Sequence, residues 1–174
     1  MMKSHSSIKR MIVFAMLGAL MFSAKVAFEV LPNIHPVAML IMTFTVVYRA
    51  RALFPIYLFV VLFGAFYGFS IWWLPYLYIW LVPWLLTMLL PKKMPKKAAM
   101  IVYPIVCGFC GITYGIVYAP AQALLFGYDF SMMCKWIAAG FPFDVMHGLG
   151  NIGMGLLVYP LSELLHRLNR TANL

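Results

Sequence analysis

VAMLIMTFTVVYRARALFPIYLFVVLFGAF, residues 37–66, is two apolar runs divided by one basic cluster, Arg49 and Arg51. Neither run alternates polar with apolar residues, as the strands of a transmembrane barrel would. Continuous apolar runs of this kind read as lipid-embedded helices, and the arginines between them as a loop on one side of a bilayer.

The same alternation extends outward in both directions. Apolar segments cover about 10–30, 36–48, 53–70, 74–90, 98–125 and 142–166. They predict an all-α integral membrane protein of six transmembrane helices, one domain over residues 1–174. LPNIHP (31–36) marks the first turn and PKKMPKK (91–97) the fourth loop. FGYDFSMMCKW (126–136) joins the last two spans, with room for a short interfacial helix.

Composition agrees: 65% of the residues are hydrophobic and only 10% charged. Soluble domains carry about 25% charged residues, so lipid is the expected solvent. The net charge of +9 does not imply nucleic acid. A nucleic-acid reader gathers cations on a polar face, whereas here they lie in short clusters beside apolar runs. The N-terminus, the loop after span two, the loop after span four and the C-terminus hold 3, 2, 4 and 2 Lys or Arg. That is eleven of thirteen on one side, leaving Lys25 and Lys135 for the other. The positive-inside rule then predicts a multi-pass cell-membrane protein with both termini cytoplasmic. Residues 1–22 superficially resemble a signal peptide, but no A-x-A-like site follows, so an uncleaved first span is expected.

Ionisable groups inside spans are costly and count as functional candidates. In GFPFDVMHGLGN (140–151), Pro142 suits the first position of a helix, which would put Asp144 in its first turn. His147 at i+3 and Asn151 at i+7 share that face, a polar stripe on an apolar helix. The stripe either caps and bridges helices or lines a ligand pocket. Trp72, Trp73, Tyr76, Tyr78 and Trp80 crowd the turn between spans three and four on the same side. They serve as an interfacial belt or as a stacking wall for a planar ligand. His35 in the first outer loop and Gln122 near the outer end of span five are further candidates. Lys25 and Glu29, at i and i+4, suit an ion pair at the interface. Small residues recur at helical spacing in Ala15/Ala19, Gly64/Gly68 and Gly111/Gly115, which permits close helix approach.

Cys107 and Cys110 form CGFC inside span five; only Cys134 remains, so no second C-x-x-C pair exists for electron relay. Buried small hydrophobes are the simpler role, with a thiol oxidoreductase as the alternative. The chain has no P-loop, no H-E-x-x-H and no G-x-S-x-G, so neither ATP binding in the P-loop manner nor hydrolase chemistry is indicated. No enzyme activity, cofactor or metal is implied.

AMLGA (15–19) in the first span and PFDVMHGLGN (142–151) in the last carry a resemblance. With size and span number, they resemble the S-components of energy-coupling factor (ECF) transporters, an ABC transporter class. The first looks like that family's A-x-x-x-A motif and the second like the P-x-D-x-x-H-x-x-x-N opening of its last helix. The resemblance implies a six-helix substrate-binding subunit that captures a vitamin-like molecule from outside. Its implied partners are a transmembrane coupling protein and two cytoplasmic ATPases. Ala15 and Ala19 would contact the coupling protein, and Asp144, His147 and Asn151 would line the pocket. A membrane scaffold or assembly protein without a small ligand is the competing expectation.

Overall fold

The computed structural model describes residues 2–31 and 33–172, with side chains from Ile8 to Ala172 apart from Pro32. Pro32 of the first turn and the Lys3 side chain therefore lie outside the described residues. The described chain is helical throughout, with no strand. Four stretches are long and apolar enough to cross a bilayer: Ile8–Ala27, Val37–Tyr67, Ile71–Leu89 and Lys96–Phe126.

Helix α1 (Met2–Ala27) leads into a turn and then α2 (Val37–Tyr48). A short 3-10 turn at Arg49–Ala52 joins α2 to α3 (Leu53–Tyr67). Arg49 sits at φ 55°, outside the helical region, so the 37–67 stretch is two helices rather than one. Side-chain contacts fix the reversal. Phe14 of α1 touches both Tyr48 and Phe54, at 5.1 and 6.0 Å between centroids, so the end of α2 and the start of α3 meet at one level. Phe22 then meets Phe63 further along, so α3 runs parallel to α1.

The expected fourth span is broken into α4 (Tyr76–Ile79) and α5 (Leu81–Leu89), after a 3-10 turn at Ile71–Trp73. The fifth is α6 (Lys96–Ile112) and α7 (Tyr114–Phe126). Together they make about 46 Å of helix against a hydrocarbon core of about 30 Å, interrupted at Thr113. The Thr113 hydroxyl donates to the Phe109 carbonyl at 2.8 Å, a back-bond that bends helices.

The last region differs most from expectation. A short helix at 126–136 followed by a span opening at Pro142 is replaced by one helix, α8 (Phe130–Gly155). Asp129 supplies the N-cap, accepting from the Met132 N–H at 2.7 Å, so the helix starts there and passes through Pro142. Asp144 is thus mid-helix and not in a first turn. After a short break α9 (Val158–Thr171) continues to the C-terminal end.

Helix α2 is the axis of the bundle: every residue from Val37 to Thr45 is buried. The hydroxyls of Thr43 and Thr45 donate to the carbonyls four residues back, at 2.9 and 2.7 Å, which satisfies them without water. Large side chains such as Phe54, Leu85, Ile101, Ile105, Phe109 and Leu124 point outward. That inversion of the soluble pattern suits a surface bathed in lipid.

The tightest seam joins α6 to α8. A Cβ placed on Gly111 would lie 2.7 Å from the Gly148 Cα, and one on Gly155 would lie 2.6 Å from the Pro104 Cα. Backbone meets backbone at both points, so only glycine fits, and the pairing is antiparallel. The Gly111/Gly115 pair is thus used inside the chain.

Candidate functional site

The α6–α8 seam aims one face of α8 inward. Asp144, His147 and Asn151 are all buried on it, as their shared spacing predicts. They nevertheless have different surroundings.

Asp144 faces the interruption between α6 and α7. Both its carboxylate oxygens accept from the Gly115 N–H, at 3.2 Å each. Gly115 is the second residue of α7, so the carboxylate caps that helix and meets the positive end of its dipole. The expected pocket carboxylate is a cap, engaged with backbone.

His147 and Asn151 lie deeper, beside aromatic rings. The His147 ring is 4.7 Å from His35 and 5.1 Å from Tyr114, centroid to centroid. From His35 a chain of edge-on contacts runs through Trp80 and Tyr76 to Trp72, and Phe63 stacks on Tyr76. Tyr118 donates to the Trp72 carbonyl at 3.2 Å, tying this wall to α7. His147, Asn151, Trp80, Tyr114 and Cys110 line a cavity of about 20 Å³, measured as space open to a water's centre. That is room for about one water.

Buried polar atoms without a protein partner gather here: His35 Nδ1, His147 Nε2, Trp80 Nε1 and both amide atoms of Asn151. Each such group costs about 1–3 kcal/mol when left unpaired. Native interiors leave few such atoms without a partner, which sets this cluster apart from the rest of the bundle. His35 lies in the turn before α2. Burial foremost, then the neighbouring His147 and Lys25, pushes its pKa down to about 3, so it is neutral at physiological pH.

Other expected residues lie apart from this cavity. Trp73 donates to the Val60 carbonyl at 2.9 Å and packs edge-on against Phe69, a structural anchor. Gln122 is half-buried and does not line the cavity. Lys25 and Glu29 each take another contact: the ammonium lies 5.8 Å from the Phe63 ring centroid, and the carboxylate accepts from Tyr67 at 2.6 Å. Ala15 and Ala19 are both exposed on α1, flanked by outward-facing Met11, Ile12, Met16 and Leu20. Cys107 and Cys110 are buried free thiols, and Cys110 faces the cavity. Among the described residues no group of three His, Cys, Asp or Glu is placed to hold a metal.

Sequence reasoning passed over Tyr114 and left Trp80 open between a belt and a stacking wall. Cys107 and Cys110 share an i, i+3 face of α6, but the break at Thr113 cuts that face off from Tyr114.

Compared with known proteins, the chain matches no family model, no curated protein and no solved structure.

Proposed function

We propose that this chain is the substrate-capturing membrane subunit of an ECF-type importer, binding a small heteroaromatic molecule at its outer end. The observation that carries the reading is the gathering of unpaired polar atoms among aromatic rings around His147 and Asn151. Aromatic walls with a few placed polar groups are the usual make-up of a small-molecule site. The cavity lining offers imidazole, amide and indole groups and no formal charge. It therefore suits a planar, neutral ligand with both donors and acceptors better than a carboxylate-rich one.

In this reading the chain crosses the membrane six times with both termini cytoplasmic. Arg49 and Arg51 end the α2 pass, Lys92 and Lys93 follow α5, and Arg167 and Arg170 close α9, so the basic groups gather opposite the cavity. The exposed Ala15/Ala19 face is the docking strip for the coupling protein, and two ATPases supply the energy. Pockets for small ligands span about 300 Å³ or more, so the cavity of about 20 Å³ has to widen to admit one. Entry requires the cover to move, namely the turn bearing His35 together with short α4.

The test is mass spectrometry of small molecules released by denaturing the purified protein. One heteroaromatic species should be released from the parent and be missing from His147→Ala and Asn151→Ala. Release of no small molecule from protein expressed in rich medium would favour a ligand-free scaffold instead.

A further inference from the structure

The basic end carries a second site of a different kind. Arg10 of α1, Arg51 of the 3-10 turn, and His166 and Arg170 of α9 surround a groove of about 370 Å³. None of the residues lining it is acidic; Tyr48 and Asn169 complete its polar floor, the tyrosine donating to the amide oxygen at 3.0 Å. Three guanidinium groups around one hollow repel each other unless an anion joins them. Guanidinium forks match phosphate oxygens in particular.

This groove is continuous with two others. Val13, Tyr48 and Asn169 also belong to a neighbouring groove of about 370 Å³ between α1 and α9, whose remaining walls include Met16, Leu17, Leu165 and Leu168. On the other side, Arg10, Phe14 and Arg51 border a third hollow of about 210 Å³ with Met11 and Phe54. A wide basic hollow thus sits between an apolar channel and a smaller, partly apolar one that shares Arg10 and Arg51 with it, Tyr48 and Phe14 being the partitions.

We infer that this end of the bundle binds an anionic phospholipid, its phosphate on Arg10, Arg51 and Arg170 and its acyl chains in the two flanking channels. A free phosphate would use the basic hollow but not the channels. The inference is independent of what the opposite end binds; it needs only that the basic end face a leaflet containing anionic lipid, as cytoplasmic leaflets do.

The test compares thermal unfolding of the purified full chain in detergent alone, with added phosphatidylcholine, with added phosphatidylglycerol, and with inorganic phosphate. Phosphatidylglycerol should raise the unfolding temperature by a few degrees, while phosphatidylcholine and phosphate should leave it in place. The double variant Arg51→Gln/Arg170→Gln should lose the shift, and Lys92→Gln/Lys93→Gln, at the same end but off the groove, should keep it. Native mass spectrometry should show one phosphatidylglycerol retained by the parent and not by the arginine variant, a readout that survives if that variant is less stable. Three results overturn the inference. An equal shift from phosphate means an anion hollow only. Equal loss in both double variants means undirected surface charge. No lipid effect in either readout leaves the groove to a protein partner.

Discussion

The two ends of the bundle solve opposite problems with similar helices. At the aromatic end, buried polar atoms lack protein partners and the rings leave about 20 Å³ between them. At the basic end the hollows stay wide, two of about 370 Å³ and one of about 210 Å³, and their walls are mainly charged or apolar. Neutral polar groups can be enclosed without a partner at about 1–3 kcal/mol each. Clustered arginines cannot, because burying unpaired charge costs far more. The difference teaches that the aromatic end can pack tightly around its polar groups, while the basic end has to remain open to an anion.

The largest effect should come from the seam that holds the two ends in register. Gly111→Leu drives a side chain into the Gly148 backbone, so α6 and α8 must part. The loss should be about 3 kcal/mol or more, read as failure to elute as a single species in size-exclusion chromatography. Normal elution and unfolding would mean the seam is looser than its glycines indicate.

Next in size is the ligand effect. His147→Ala should weaken binding of the released molecule by roughly tenfold or more. Gln122→Ala, off the cavity, should bind like the parent. Equal affinities in titration calorimetry for all three proteins would remove the aromatic end from consideration.

Asp144→Asn sharpens the contrast within α8 itself. It weakens the cap on α7 and should cost about 1 kcal/mol of stability. Affinity should change less than in His147→Ala, because the carboxylate is spent on Gly115. A larger affinity loss in Asp144→Asn would return the carboxylate to the ligand.

The last effect is absent at neutral pH and emerges only in acid. His35 has its folded pKa lowered to about 3 from an ordinary 6.5. Above pH 6.5 it is neutral whether folded or unfolded and contributes no pH dependence. As pH falls from 6.5 toward 3 the unfolded chain takes up a proton that the folded chain refuses, so stability declines. His35→Gln should flatten that part of the stability–pH curve measured by thermal unfolding; an unchanged slope would mean other groups govern it.

How much of this was legible depends on the range of the contact. Helix α2 was placed within a residue because Pro36 and Arg49 bracket one apolar run. The pairing of His147 with Asn151 was legible too, since i and i+4 share a helix face whatever surrounds them. Asp144 was misplaced for the opposite reason: its partner, the Gly115 N–H, is 29 residues away and exposed only by the break at Thr113. Pro142 misled because proline favours a first turn, yet the Asp129 cap had already started the helix thirteen residues earlier. Tyr114 and the basic groove were hidden because each is assembled from distant segments that no local period connects.

Asn151→Leu tests the central claim most directly, by thermal unfolding with and without the released ligand. If the amide exists for a ligand, replacing it with an apolar group of similar size removes two unpaired buried atoms. The ligand-free variant should then unfold at a higher temperature than the parent, and adding ligand should shift the parent only. A ligand-free variant that melts below the parent and still responds fully to ligand would show Asn151 to be structural, and the site to lie elsewhere.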